Sequence, residues 1–251
     1  MRPKWRCEIR LVGAWRTPVV LVNCEDFNEI RNKLLIYEKL GIKNLIIEPI
    51  NVLKWNNGVK TKIKNLTSIN LKYRINLNPK NLKDYQFSLN SIGRSSDAVS
   101  IETNKKEIQI KAAKDSRVDL ISFSEIEAMK TLSSGVISLI KQNNSFIEIS
   151  LVNIMERNKS LQSKNFREIY RTIDLVRSLK GNLIISGNFV DPYEFRHPRS
   201  LVSICHTLFG MPLAEAKKAF NDNVQLLLER VRNRSEHSYI EDGIRILKGD
   251  N

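Results

Sequence analysis

Along the chain, short runs of β-branched and other apolar residues alternate with longer stretches in which apolar positions recur every three or four residues. The first pattern is that of strands, the second that of amphipathic helices. Strands are predicted at Val19–Asn23, Asn44–Ile50, Thr67–Leu77, Ala98–Thr103, Asp119–Ser124, Phe146–Leu151 and Asn182–Gly187. In the third, Ile69, Leu71, Tyr73, Ile75 and Leu77 alternate with the period of a strand. A helix is predicted from the N-cap Asp26 through Ile30, Leu34, Leu35 and Tyr37 to Gly41. Others follow over Lys105–Lys114, part of Glu125–Asn143 and Phe166–Lys180, and two more at Pro198–Phe209 and Pro212–Val231.

Most of these strands are apolar on both faces, as in a parallel sheet covered by helices. About seven of them, with intervening helices and no linker rich in Gly, Pro or Ser, predict an α/β fold of one domain over residues 1–251. The expected architecture is a TIM-like (β/α) barrel, with an open doubly wound sheet as the alternative. Residues 1–15, rich in Arg and Lys, fall outside the pattern and are expected to form a mobile N-terminal extension.

Charge narrows the field of partners. With 41 Lys and Arg against 27 Asp and Glu, the formal charge is +14. Such an excess favours a polyanionic partner, by speeding encounter and by releasing condensed counterions. A solubility device or a generally basic proteome is the plainer explanation. Cys7, Cys24 and Cys205 are odd in number, far apart and without a Cys-x-x-Cys pair, as expected of reduced, mostly buried thiols. The N-terminus lacks the apolar core of a signal peptide and no apolar run approaches the ~18 residues of a membrane span, so a cytoplasmic location is expected.

Barrels often house metal-dependent phosphoesterases, whose sites need several imidazoles with carboxylates at strand ends. Here His197, His206 and His237 all lie in the last quarter without a ligand pair, which argues against a histidine-built metal centre. A carboxylate site is harder to dismiss, because Glu48, Glu102 and Glu148 lie in or at the end of three strands, toward the rim where barrel enzymes place their chemistry. The structural alternative is that these acids pair with Lys or Arg inside the barrel, and Asp119 likewise reads as a cap or ion pair. The phosphate-binding loop, the dinucleotide fingerprint and the nucleophile elbow are absent. No metal or cofactor is therefore expected on the protein itself.

The basic segments say more. From Lys54 to Lys83 the chain carries Lys54, Lys60, Lys62, Lys64, Lys72, Arg74, Lys80 and Lys83 without one acid, and Trp55 and Tyr73 are interleaved. That composition suits phosphates with occasional stacking on an unpaired base; a solvated helix face is the alternative. Arg94, Lys111, Arg117, Arg196 and Arg199 fall near predicted loops, and Arg suits bidentate phosphate contacts.

Four segments in fixed order then carry a resemblance: IKAAKDSRVDLISFS, FIEISL, NLIISGNFVDPYEFRHPRSL and LFGMPLAEAKKAFNDNVQLLLER. Together, from about Ala98 to Arg232, they resemble the component 3 protein family of ribonuclease P. Departures fall at Ser186-Gly187-Asn188, where the family usually has Ser-Ser-Gly-Ala, and at Arg196-His197-Pro198 in place of Arg-Ser-Pro. The resemblance implies a barrel related to metal-dependent hydrolases but without their ligands. It implies an archaeal-type RNA-binding subunit with no catalytic residue of its own, supporting RNA-catalysed removal of the 5′ leader from precursor tRNA. The Mg2+ would sit on the ribonuclease P RNA. A small ferredoxin-like subunit would be the protein partner, two of each forming a heterotetramer, beside other subunits of the holoenzyme. Match to the family's basic positions marks Lys111, Arg117, Arg196 and then Arg94 as RNA contacts. Lys60, Lys62 and Lys64 are added from composition, and Arg199 from its place near a loop. The competing expectations are a stand-alone carboxylate-metal phosphoesterase on the same barrel and a general nucleic-acid chaperone.

Overall fold

The structure, a computed structural model, describes residues 19–22, 26–49, 55–93, 95–187, 196–235, 239–241 and 244–245. Strands and helices alternate along it: β1 (Val19–Val22), α1 (Phe27–Lys39), β2 (Asn44–Pro49), α2 (Asn57–Lys64), β3 (Asn70–Leu77), α3 (Leu82–Ile92), β4 (Ala98–Glu102) and α4 (Lys106–Lys114). After β5 (Leu120–Phe123) come α5 (Ile126–Met129), α6 (Ser134–Gln142), β6 (Phe146–Ser150), a 3-10 turn over Val152–Met155 and α7 (Lys159–Ser178). β7 (Leu183–Ser186) leads to α8 (Pro198–Thr207), α9 (Leu213–Phe220) and α10 (Asp222–Ser235), and a short antiparallel hairpin pairs β8 (Tyr239–Glu241) with β9 (Ile244–Arg245).

Caps explain where the elements depart from the apolar pattern. The helices α2 and α3 lie where none is predicted, and each is opened by an asparagine: Asn56 accepts from the Gly58 N–H and Asn81 from the Asp84 N–H. Asn158 likewise accepts from the Ser160 and Leu161 N–H groups, which starts α7 seven residues before the predicted Phe166. Such side chains satisfy donors that a helix N-terminus leaves open. The third strand begins at Asn70 rather than Thr67, because the Glu38 carboxylate holds the Thr67 hydroxyl (2.5 Å) and the Ser68 N–H (2.9 Å) in a turn. The helix predicted over Pro212–Val231 is broken at Asn221, where φ is −123° and ψ −73°, into α9 and α10.

The sheet runs in the order β1-β2-β3-β4-β5-β6-β7 with every neighbouring pair parallel. Strands adjacent in sequence are thus adjacent in space. Right-handed crossovers then place successive helices on the same side of the sheet, and a sheet covered on one face curls so that the other face turns inward, as in a TIM-like barrel. An open doubly wound sheet reverses its strand order at a switch point; no reversal occurs here.

Outward strand residues such as Ile47, Ile101, Ile121, Phe123, Ile149 and Ile185 pack under the helices. Gly181, at the end of α7, has no room for a side chain, since a Cβ would lie 2.9 Å from Val176 Cγ1 and 3.0 Å from Ile137 Cγ2. A separate apolar cluster joins the inward residues Ile46, Ala98, Leu120, Phe146 and Ile184 to Val224, Leu227 and Val231 of α10. Helix α10 therefore crosses the N-terminal ends of the strands and closes the base of the barrel. Cys205 is buried and its thiol is pushed well above its ordinary pKa by that burial, which makes it inert. Cys7, Cys24 and the expected N-terminal extension lie outside the described residues, among which no helix is long and apolar enough to cross a membrane.

Candidate nucleic-acid interface

Above the apolar base the barrel interior turns polar. Alternation along β3 aims Arg74 inward, where it is 1% exposed. Its Nε lies 3.1 Å from Glu48 Oε2 and donates to Ser100 Oγ at 2.8 Å, while Nη2 lies 2.8 Å from Glu148 Oε2. The Ser122 hydroxyl donates to the same Glu148 oxygen at 2.6 Å. Nearer the rim, Glu102 accepts from Asn76 Nδ2 (3.1 Å), the Ser124 N–H (2.9 Å) and the Ser124 hydroxyl. Two of the three strand acids thus meet an arginine inside the barrel, and the third meets amide and hydroxyl donors. Among the described residues no group of three or more His, Cys, Asp or Glu is assembled to hold a metal ion. His197 caps α8 by accepting the Arg199 N–H, and His206 Nδ1 lies 2.8 Å from the Met211 carbonyl. His237 lies outside the described residues.

The opposite end is built differently. In a singly wound barrel the helices that join successive strands begin at the rim and end at the base. Their first turns carry Glu29, Asp84, Glu107 and Glu127; their last turns carry Lys39, Lys62, Lys64, Lys111, Lys114, Lys141 and Arg177. Helix dipoles favour this arrangement by about 0.3–1 kcal/mol per charge. Lys39, Lys62, Lys64, Lys111, Lys114 and Lys141 are exposed, and no carboxylate pairs with them among the described residues. The result is a ring of ammonium groups around the base without a carboxylate partner among the described residues.

Within that ring some cations belong to the structure. Asp119, fully buried at the start of β5, accepts from the Val99 N–H at 2.8 Å and pairs with Arg234 (2.5 Å) and Arg230 (3.3 Å) of α10. Burial raises its pKa, against the opposing pull of Arg234, the Val99 N–H and Arg230. The two guanidinium groups also donate to the carbonyls of Asn143, Ser116, Arg117 and Asp97, which latches α10 under the strands. Asp119 is the ion pair expected of it.

The residues marked in the sequence as RNA contacts separate accordingly. Lys62, Lys64 and Lys111 are exposed members of the basic ring, Lys62 standing 5.6 Å over the Phe27 ring. Lys60 is bound by both oxygens of Asp97 (2.6 and 2.8 Å) and lies 4.7 Å over the Tyr73 ring. Arg117 donates through Nε and Nη2 to the two oxygens of Asp115 and through Nη1 to Asn90. Burial works to raise the Asp115 carboxyl, but the Arg117 hydrogen bonds and charge outweigh it and leave the pKa below its ordinary value. Arg196 and Arg199 flank the start of α8, beyond the C-terminal end of β7, and do not join the ring. Arg94 lies outside the described residues. The expectation that Trp55 and Tyr73 stack on bases is corrected: Trp55 is buried, its Nε1 donates to the Arg74 carbonyl (3.0 Å), and Tyr73 meets it edge-on at 4.9 Å while donating to the Lys60 carbonyl. Lys39, Lys114 and Lys141 escape a reading by composition; their signal is position in the last turn of a predicted helix.

Fold and surface together define an α/β barrel protein in which Arg74 holds Glu48 and Glu148 inside and whose base suits a polyanion. More particularly, the chain belongs to the RNase P subunit p30 family, whose model matches residues 20–236. That makes it a protein subunit of ribonuclease P, part of the endoribonuclease that acts in tRNA processing. In structure it is similar to a chain of an archaeal ribonuclease P solved with mature tRNA by cryo-EM, with a TM-score of 0.75 at 14% identity over 93% of this chain and 99% of that one. At that identity the likeness speaks to the fold. Among curated proteins none matches the sequence.

Proposed function

We propose that this subunit is an RNA-binding scaffold of ribonuclease P that meets RNA phosphates with the base of its barrel and performs no bond cleavage itself. The observation that carries this reading is the separation of charge: lysines stand unpaired around the base while Glu48 and Glu148 are bound to Arg74 within. Unpaired ammonium groups offset repulsion between RNA segments and release counterions on contact. Lys62, Lys64 and Lys111 are the contacts, with Arg196 and Arg199 a separate one at the rim. In this reading the RNA holds the Mg2+ and removes the 5′ leader of precursor tRNA. The subunit works in the cytoplasm beside a small ferredoxin-like partner, two of each. The barrel is kin to metal-dependent hydrolases, with Arg74 standing among the carboxylates where such an enzyme would bind a cation.

The test is cleavage of precursor tRNA by the cognate RNA at modest Mg2+, with and without this chain and its small partner. Cleavage restored by the two proteins together, with none by the chain alone, is the expected result. Phosphoester hydrolysis by the isolated chain with Mn2+ or Mg2+, abolished in Glu102→Ala or Glu148→Ala, would overturn it in favour of a carboxylate-metal enzyme.

A further inference from the structure

Asn223, Arg230 and Arg234 lie seven and four residues apart on α10, close to whole turns of helix, so they share a face. That face meets the turns through which the chain enters successive strands at the base. Asn223 Nδ2 donates to the carbonyl of Leu183, the first residue of β7, at 2.6 Å. Arg230 Nη1 donates to the Asn143 carbonyl ahead of β6 (2.8 Å), and its Nη2 to the Ser116 carbonyl ahead of β5 (3.1 Å). Arg234 Nη1 donates to the Arg117 carbonyl, also ahead of β5 (3.0 Å), and its Nη2 to the Asp97 carbonyl ahead of β4 (2.8 Å). One helix thus grips the entries to β4, β5, β6 and β7.

The basic ring divides along this line. Lys111 and Lys114 stand in the last turn of α4 and Lys141 in that of α6, directly before gripped turns. Those two turns are also tied to each other, since Asn143 Nδ2 donates to the Asp115 carbonyl at 3.2 Å. Lys39 ends α1, and Lys62 and Lys64 end α2. Neither Arg230 nor Arg234 donates to the turns that follow these helices, and the turn ahead of β3 is held by Glu38 instead.

A helix ends at the negative pole of its dipole, and the carbonyls of the turn beyond it repel a phosphate. Guanidinium groups that take up those carbonyls offset the repulsion and hold the turn still. An ammonium group on a fixed turn then meets a phosphate without the ordering cost that a loose one carries.

We infer that Arg230 and Arg234 are positioning residues for the RNA contact. By holding the turns beyond α4 and α6 they set Lys111, Lys114 and Lys141 against the phosphates, whereas Lys39, Lys62 and Lys64 are placed without them. The inference rests on the reading of the base as the RNA contact and adds to it the element that assembles one side of that contact.

The experiment measures binding of the cognate ribonuclease P RNA to the full chain over a range of salt, at a temperature where each variant is folded. Arg234→Lys keeps the net charge and a cation beside Asp119 but loses the fork that spans the entries to β4 and β5. It should weaken binding by about tenfold. It should also flatten the slope of log K against log salt by roughly 0.7–0.9, as if a lysine had been removed. In double-mutant cycles its effect should overlap with that of Lys111→Ala and add to that of Lys62→Ala. Without RNA, amide exchange should quicken at Val118 and Asn144 and stay as it was at Leu66. Should Arg234→Lys not fold, Arg230→Lys carries the same test through the entry to β6. Wild-type affinity and slope in the folded variant, equal additivity with both lysine variants, or loss of folding in both arginine variants overturns the positioning role and leaves the base as the RNA contact. Lys62→Ala and Lys111→Ala without any effect of their own overturn both.

Discussion

The two ends of this barrel hold the same kinds of charge and treat them in opposite ways. Inside, toward the rim, Arg74 is 1% exposed and locked between Glu48 and Glu148. Around the base, Lys62, Lys64 and Lys111 stand in solvent. A charge taken out of water is tolerated only when it is paired and hydrogen-bonded, whereas one left in water costs nothing and stays available to a partner. Burial, rather than charge, therefore decides which ionic groups belong to the fold and which remain open to a partner.

If Arg74 belongs to the fold, its replacement should be the most damaging change of all. Arg74→Met leaves two buried carboxylates without their cation and is expected to destabilise the protein by about 3–5 kcal/mol in denaturant unfolding. Adding Glu48→Gln and Glu148→Gln should return most of that stability, since the charges that need the guanidinium are then gone. A destabilisation below about 1 kcal/mol in the single variant would mean that the interior is wet enough to solvate its acids.

Asp119 offers a milder test at the base. Asp119→Ala strands the Val99 N–H and deprives two guanidinium groups of their carboxylate, at a cost of about 2–3 kcal/mol. Asp119→Asn keeps the shape and an acceptor and should cost less. The pH dependence has a definite sign. The folded pKa of Asp119 is raised, so the folded state holds its proton more tightly than the unfolded chain does. That contribution is fully present below the ordinary carboxylate pKa and is lost as pH rises through the raised value. The stability difference between the wild type and Asp119→Asn should therefore widen in favour of the wild type as pH falls from neutral. A difference that stays constant would mean that Arg230 and Arg234 cancel the effect of burial.

The strands were legible in the sequence because parallel strands buried on both faces read as unbroken apolar runs, as in Asn182–Gly187. α2 was not, since only Ile63 of its eight residues is buried and its polar face resembles a loop; the signal was Asn56 at the cap. The candidate interface was half legible. Composition marked Lys54–Lys83 as basic but could not tell that Lys72 and Arg74, two apart on one face of β3, have opposite fates, one exposed and one buried. That depends on depth along the barrel axis, which alternation does not encode. The ion pairs Lys60–Asp97 and Arg230–Asp119 span 37 and 111 residues and leave no local pattern either.

The smallest expected effects concern single lysines at the base. With structured RNA, Lys62→Ala, Lys64→Ala and Lys111→Ala should each flatten the slope of log K against log salt by roughly 0.7–0.9, the change expected when one fewer phosphate is neutralised. Lys60→Ala should leave the slope unchanged, because its ammonium is already held by both oxygens of Asp97. Arg117→Ala should also spare the slope and show itself in acid instead. The lowered pKa of Asp115 contributes stability above the ordinary carboxylate pKa that is lost as pH falls through the folded value, and removing Arg117 should shrink that acid-dependent term. Equal flattening by Lys60→Ala and Lys62→Ala would mean that net charge, not an unpaired ammonium at a particular place, governs RNA affinity. The base of the barrel would then be no more an interface than any other part of a basic surface.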